Sequence, residues 1–531
     1  MAIAIDFGTS NTAITRWNPV TETPETLSLP NYSLQQPPNP PTIPSLVYVE
    51  NAESGQVLIG QQVRDRGLDL TSDPRFFRNF KRGIGTEVQG FLPELDGTSL
   101  SFERVGTWFL QGILNEVNLE ESLILTVPVD SFETYRYWLG ELCQTVSVGK
   151  VRIIDEPTAA ALGYGVSDRN LILVVDFGGG TLDFSLVQLN SDSSDKSSSN
   201  NPLGFVLKWG DKSFVQQSAQ QVKTARVLAK EGLNLGGSDL DGWIADKLIS
   251  EHELTRSRAL TRLAEKLKIA LSTQQKASEI YFDRESLETY EFTLNRKQFQ
   301  EILTEQKLFI RLDSSLERVL QQAKRQGIQK DEIDAVLLVG GSSQIPSVQA
   351  WIKGYFTEQK VRCDRPFEAI SQGALQLDRG VELTDFLYHS YGIRYWNRRT
   401  KSHSWHPIIK EGQPYPMSNP VELTLGASME QQPKIELILG ELGAETGGTE
   451  IYFDGDRLIA QILSSDTRSV IALNDDENAR TIATLNPPGI PGNDRIRLRF
   501  QVDGDRVLRL SVEDLLTNQT LLDNRAVVQL S

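Results

Sequence analysis

Two stretches of this chain, far apart in the sequence, repeat one another. Near the start the apolar run Ala2-Ile3-Ala4-Ile5 meets Asp6-Phe7-Gly8-Thr9-Ser10-Asn11-Thr12 and resumes as Ala13-Ile14-Thr15-Arg16-Trp17. Much later Leu171-Ile172-Leu173-Val174-Val175 meets Asp176-Phe177-Gly178-Gly179-Gly180-Thr181-Leu182-Asp183 and resumes as Phe184-Ser185-Leu186-Val187. Each reads as strand, tight polar turn, strand. A chain that carries such a unit twice is expected to build two similar lobes facing one another. A third strand, Ala335-Val336-Leu337-Leu338-Val339, ends in Gly340-Gly341-Ser342-Ser343 and is followed by Ile345-Pro346-Ser347-Val348, where a helix is expected to begin.

The chain has 531 residues, enough for about three or four folding units at roughly 100 to 200 residues each. Apolar residues make up 39% and charged residues 23%, a globular profile that excludes disorder as the main state. Lys and Arg total 54 against 70 Asp and Glu, so a net charge of −16 works against nucleic-acid and anionic-membrane partners. Two cysteines, Cys143 and Cys363, cannot form a disulfide framework, and two packed thiols in a reducing compartment are expected. The opening residues have no basic n-region, and no stretch approaches the ~18 apolar residues of a membrane span, so a cytoplasmic location is expected.

Pro37-Pro38-Asn39-Pro40-Pro41 and the Ser-rich stretch from Ser191 to Asn201 read as exposed loops without functional content. Between Ser257 and Ser272, Leu260, Leu263, Leu267, Ala270 and Leu271 recur at helical spacing, which predicts a helix with one buried stripe. From Val421 onward, alternating runs such as Val421–Leu425, Lys434–Leu439 and Arg495–Phe500, separated by Gly, Pro and Asp, predict antiparallel strands and a separate all-β domain.

Both Asp-Phe-Gly turns put a carboxylate at the end of a buried strand, next to small residues whose backbone N–H groups can approach an anion closely. This arrangement suits a metal-nucleotide. The turns Gly8, Thr9, Ser10, Asn11 and Gly178, Gly179, Gly180, Thr181 would grip the triphosphate of ATP from two sides. Asp6, Asp176 and Asp183 would hold Mg²⁺ through its waters, since that ion dehydrates reluctantly. There is no P-loop, because that signature needs Gly-Lys-Ser/Thr opening a helix and both turns lead into strands.

Together the three turns resemble the phosphate-one, phosphate-two and adenosine motifs of the actin, sugar-kinase and seventy-kilodalton heat-shock superfamily. Val127-Pro128-Val129, Arg152-Ile153-Ile154-Asp155-Glu156-Pro157-Thr158-Ala159-Ala160-Ala161 and Leu235-Gly236-Gly237-Ser238-Asp239-Leu240-Asp241 resemble the heat-shock chaperones in particular, the DnaK type. The resemblance implies an α/β fold: a two-lobed, actin-like ATPase domain with a duplicated ribonuclease H-like core over 1–383, a linker over 384–392, and an all-β sandwich over 393–531. It implies that Lys81 supports the attacking water and the γ-phosphate, that Glu156 orders the metal's water shell, and that Thr181 and Asp183 orient the nucleophile. Pro128 and Arg136 match the pair that relays nucleotide state between domains. Gly236, Gly237, Glu265, Lys268, Ser272, Gly340, Gly341, Ser342 and Gln344 match the nucleoside clamp. Gln344 stands where the family stacks an arginine on adenine, and Phe367 where it has an aspartate, so the base contact departs from the family pattern.

The tail resembles the family's peptide-binding sandwich at 409–416 and 487–514. The linker keeps only Asp385-Phe386-Leu387-Tyr388-His389, and no helical lid is expected before Ser531. The implied function is an ATP-dependent chaperone using ATP/ADP and Mg²⁺, with unfolded polypeptide as partner alongside J-domain and nucleotide-exchange co-chaperones. A nucleotide-regulated adaptor for one dedicated partner, or a small-molecule kinase of the same superfold, are the alternatives. Arg394, Arg398, Arg399 and Lys401 interleave with Tyr395, Trp396 and Trp405, a texture of single-strand binders that the net charge opposes. His389, His403 and His406 lack further ligands at metal spacing.

Overall fold

A computed structural model of the chain describes residues 2–35, 37, 39–86, 92–117, 122–128, 133–146, 148, 150–165, 171–191, 223–283, 286–379, 387, 389–397, 402–410, 413, 415–417, 419–442, 449–454, 457–462, 470–473, 481–492, 494–504 and 506–530. The chain divides into two compact units, one taking in residues up to 383 together with 451–460, the other built on the remainder from 384.

The first unit holds two five-strand arrays with one topology. In the first, the order is Lys150–Asp155, Ser122–Val127, Ala2–Phe7, Asn11–Asn18, Thr23–Thr26. Its first three strands run parallel, and the last two return antiparallel. In the second, Val361–Arg362, Ala335–Val339 and Leu171–Phe177 are parallel, and Leu182–Ser191 and Lys223–Leu233 return antiparallel. The repeated sequence unit is thus the central hairpin of each sheet. The central strands are apolar throughout because both of their faces are covered: all five residues of Ala335–Val339 are buried.

Separate apolar cores lie beneath the sheets, and a third joins them. In this third core Ala4 and Ile124 of the first sheet and Val174 and Leu337 of the second meet Ala159, Ala160 and Ala161 of helix Glu156–Gly163 and Ala369 and Ala374 of helix Ala369–Ala374. Small side chains let the two helices approach closely, and Thr15 Oγ1 and Ser371 Oγ share a buried hydrogen bond of 2.7 Å at this seam. The predicted amphipathic helix spans Arg258–Thr273, with Ser257 Oγ accepting from the Leu260 N–H at its N-cap and Leu260, Leu263, Leu267 and Leu271 buried. No described helix is long and apolar enough to cross a membrane.

The second unit consists of antiparallel sheets. One runs Val421–Gly426, Asp494–Val502, Val507–Asp514, Gln519–Gln529, with burial alternating along Val507–Asp514 as a half-buried strand requires. Another runs Ser402–Ile409, Ser390–Asn397, Leu439–Leu442, Val470–Ala472. Two expectations need correction. The run Lys434–Leu439 is not one strand, because Leu437 and Ile438 fall between two strands that pair in different sheets. Residues Gln432–Glu436 pair with Thr481–Gly489, and Leu439–Leu442 joins a different sheet. The end of the expected linker is also sheet, since the strand from Ser390 pairs with Leu442. Residues 384–386, 388 and 398–401, and the stretch 192–201, lie outside the described residues.

In this unit Arg495 donates to both carboxylate oxygens of Asp514 at 2.9 and 2.8 Å, with both side chains buried. Burial acts to raise the Asp514 pKa, but Arg495 and the N–H groups of Leu516 and Thr517 more than offset it, so the carboxyl titrates below its usual range. A depressed folded-state value means this contribution is fully present above about pH 4 and is lost as pH falls through that value. Asp514→Asn is expected to destabilise the unit by about 2 to 3 kcal/mol. Urea denaturation at neutral pH checks this, and an unshifted midpoint would contradict it.

Candidate functional site

The two hairpins point their turns at one another. Asp176 and Asp183 are direct cross-strand partners, as are Asp6 and Ala13. The second turn is closed by the Gly178 N–H donating to Thr181 O at 3.0 Å. It is latched from behind: the N–H groups of Gly237 and Ser238 donate to the carbonyls of Gly178 and Gly179 at 3.0 and 2.9 Å, and the Ser342 hydroxyl donates to Gly178 O at 2.9 Å. The first turn is held likewise by Ser45, whose N–H donates to Ser10 O at 2.9 Å and whose hydroxyl donates to Gly8 O at 2.7 Å. The turns touch: a Cβ on Gly179 would fall 1.9 Å from Ser10 Oγ, and one on Gly180 2.5 Å from Thr9. Gly340 must be glycine, because its φ of 79° is left-handed and a Cβ would sit 2.5 Å from the Phe177 carbonyl.

Between the lobes these turns line a cleft of about 560 Å³, within the range of small-ligand sites. Of the sequence-predicted residues, Asp6, Gly8, Thr9, Ser10, Asn11, Lys81, Glu156, Asp176, Gly178, Gly179, Thr181, Gly237, Glu265, Lys268, Ser272, Gly340, Gly341, Ser342 and Gln344 line it. Three do not. Asp183 borders a small recess beside it, with Pro128, Glu156 and Asp176. Gly180 and Gly236 are close-packed against other chain segments: a Cβ on Gly180 would meet Thr9 of the facing turn, one on Gly236 would lie 2.4 Å from Gly180 N, and the Gly180 carbonyl accepts from Arg82. Pro37, Asn39 and Pro40, expected to be loop without function, line the cleft as well. The side chain of Arg136 lies outside the described residues.

One end of the cleft concentrates carboxylates around a single lysine. Lys81 Nζ donates to Glu156 at 2.9 Å and lies 5.6 Å from the centre of the Phe7 ring. Burial pushes the Lys81 pKa down, but Glu156, Tyr135 and Asp6 more than offset it, so the ammonium stays charged. Burial, with Glu156 adding to it, pushes the Asp6 carboxyl up to about 7, against the opposing effect of Lys81 and of the Thr126 hydroxyl donating at 2.8 Å. Asp176 is held well above the usual carboxylate range by burial, then by Glu156, Asp183 and Asp6. So many carboxylates against one ammonium is an oxygen-rich surplus that a hard cation would relieve. Among the described residues no group of three His, Cys, Asp or Glu side chains is arranged to hold a metal ion directly.

The other end is an ion-pair lattice across the lobes. Arg64 on helix Gln61–Asp65 reaches Glu265 at 3.1 Å, Arg262 reaches it at 2.7 Å, and Lys268 pairs with Asp241 at 2.7 Å while donating to Gly237 O at 2.8 Å. Burial acts to raise the Glu265 pKa, but Arg64, Arg262, Arg78 and Lys268 hold it well below the ordinary range. Asp241 is pushed up to about 6 by burial, with Glu265 adding and Lys268 opposing. The Ser272 hydroxyl bonds back to Lys268 O at 3.3 Å. Gln344 Nε2 is buried with no hydrogen-bond partner among the described residues, a donor left for something in the cleft. Asp241 closes the Leu235–Asp241 motif of the sequence, where no role was assigned to it, and the sequence does not mark Arg64 or Arg262, for Arg64 meets Glu265 across 201 positions of chain.

These features can be set beside known proteins. A family model described as Hsp70 protein matches residues 118–227 and 224–401, which together span more than half of the chain. The chaperone protein DnaK of Thermosipho melanesiensis is 26% identical in an alignment covering 97% of this chain and 78% of that protein. With the duplicated hairpins and the cleft they enclose, the match places the chain in the Hsp70 family, as a DnaK-type member.

Proposed function

We propose that the chain is a chaperone of the Hsp70 type that binds and hydrolyses Mg·ATP in the interlobe cleft and thereby changes how tightly its β unit holds unfolded polypeptide. The observation that carries this reading is the contact of the two glycine-rich turns across a cleft floored by Asp6, Asp176, Glu156 and Lys81. Two matched sheets of this topology support an actin-like, duplicated ribonuclease H-like core, and the antiparallel second unit supports a β-sandwich spanning 393–531. J-domain and nucleotide-exchange co-chaperones belong to the same reading.

The donor set fits the ligand. Small turn residues leave backbone N–H groups approachable by phosphate, and the carboxylate surplus suits a hydrated Mg²⁺ reached by Asp6, Asp176 and Asp183. When bound, Mg²⁺ would screen the polyphosphate charge and polarise the transferred phosphoryl group. Lys81, fixed by Glu156, would set a positive charge where negative charge develops in phosphoryl transfer. Thr181 and Asp183, on the second turn and the strand leaving it, would orient the water that attacks.

The test is anisotropy of a dye-labelled apolar peptide on the full chain. Adding Mg·ATP is expected to speed peptide release roughly tenfold or more, the scale of ordinary allosteric coupling. No peptide binding, or slow release indifferent to ATP, would remove the reading.

A further inference from the structure

Six cationic side chains line the cleft: Arg64, Arg78, Lys81, Arg262, Lys266 and Lys268. Five are held by carboxylates, Arg64 and Arg262 by Glu265, Lys81 by Glu156, Lys266 by Glu279 at 3.6 Å and Lys268 by Asp241. Arg78 is half-buried, and its side chain has neither an ion pair nor a hydrogen bond among the described residues. A guanidinium carries five donors and strongly favours planar oxyanions, so an arginine in a lined cleft with none of them engaged is poised for an anionic ligand.

Its backbone is anchored from both lobes. Arg78 ends the strand Phe76–Arg78 opposite Leu46, the neighbour of Ser45, which holds the first glycine-rich turn. The next residue, Asn79, accepts a hydrogen bond of 3.0 Å from Ser238 Oγ at the start of helix Gly237–His252, beside the second turn. Arg78 thus leaves the wall between the two turns and the ion-pair lattice. Its charge acts on Glu265 and Asp241 at the lattice end, and it is not among the groups that shift Asp6 or Asp176 at the other.

Resting on the nucleotide reading above, we propose that Arg78 is a phosphate-binding residue of the cleft, donating to the phosphates nearer the nucleoside and leaving the terminal one to Lys81. Its contribution is shared by nucleoside di- and triphosphates and absent from the bare nucleoside. A charge-assisted, two-pronged contact of this kind separates Arg from both Gln and Lys.

The experiment is titration calorimetry of the full chain with Mg·ATP, Mg·ADP and adenosine, adenosine by competition, for the wild type, Arg78→Gln and Arg78→Lys. Arg78→Gln is expected to weaken ATP and ADP by similar factors of about ten to a hundred, and to leave adenosine unchanged. Arg78→Lys is expected to lose less on both phosphorylated ligands and nothing on adenosine. Parity with the wild type on ADP in whichever variant folds removes the assignment, as does an equal loss on adenosine, which would mark a structural role. If the wild type binds none of the three, the nucleotide reading falls and this one with it; wild-type binding with unaffected variants removes Arg78 alone.

Discussion

Replacing Lys81 by alanine is expected to lower ATP turnover by about two to three orders of magnitude, the scale seen when one preorganised donor to developing charge is deleted. The lysine is the one cation facing Glu156, Asp6 and Asp176 among the described residues, and its side chain is 9% exposed. Its loss leaves those carboxylates with no positive charge among them, so the folded state is expected to lose about 3 to 5 kcal/mol at neutral pH. Asp6 and Asp176 titrate above their unfolded values, Asp6 at about 7, and without Lys81 both rise further, so protonation relieves the repulsion and the variant regains stability as pH falls, beginning above about 7. Single-turnover hydrolysis at saturating Mg·ATP, with melting curves at about pH 6 and about pH 8 to establish folding, separates the chemical loss from the structural one. Hydrolysis at the wild-type rate would take Lys81 out of the mechanism.

A second large effect is expected far from the chemistry. Helices Glu156–Gly163 and Ala369–Ala374 cross at the seam of the two sheets with almost no side chain between them. A Cβ on Gly373 would lie 1.8 Å from Ala159 O and 2.5 Å from Gly163 N, and one on Gly163 would lie 1.9 Å from Ala369 O. These obstacles are backbone atoms, which no rotamer change moves aside, so Gly373→Val is expected to cost about 3 kcal/mol or more. Gly354, inside helix Pro346–Tyr355 with nothing within 4 Å of its notional Cβ, is the control, and Gly354→Ala is expected to stabilise by about 0.5 to 1 kcal/mol. Urea midpoints of the two variants check both signs. A Gly373 variant as stable as the wild type would mean that the seam can open without cost. Since Glu156 begins the first of these helices, loosening the seam is also expected to disturb the Lys81–Glu156 pair.

Legibility in the sequence followed the range of the interaction. The strand–turn–strand units, the leucine stripe of helix Arg258–Thr273 and the turn before Pro346 are readable because each is fixed within a few residues by glycine, helical spacing or proline. The run Lys434–Leu439 misled because its alternation fails only where the chain changes sheet. Gly180 and Gly236 were read as ligand contacts, since a glycine that admits a phosphate and one that admits another backbone look alike in sequence. The Pro-rich loop was dismissed for having no core of its own, yet Pro37, Asn39 and Pro40 reach the cleft.

What the residues alone determined is the pair of acidic, glycine-rich hairpins and the small-residue turn that accompanies them, since local steric rules leave such segments few conformations. What only the tertiary structure decided is which charges share the cleft. Glu265 gathers two arginines, Lys81 is set among carboxylates from both lobes, and the Arg78 side chain is left without an ion pair among the described residues. Electrostatic energy depends on separation in space, and sequence separation says little about that once two lobes close on one another.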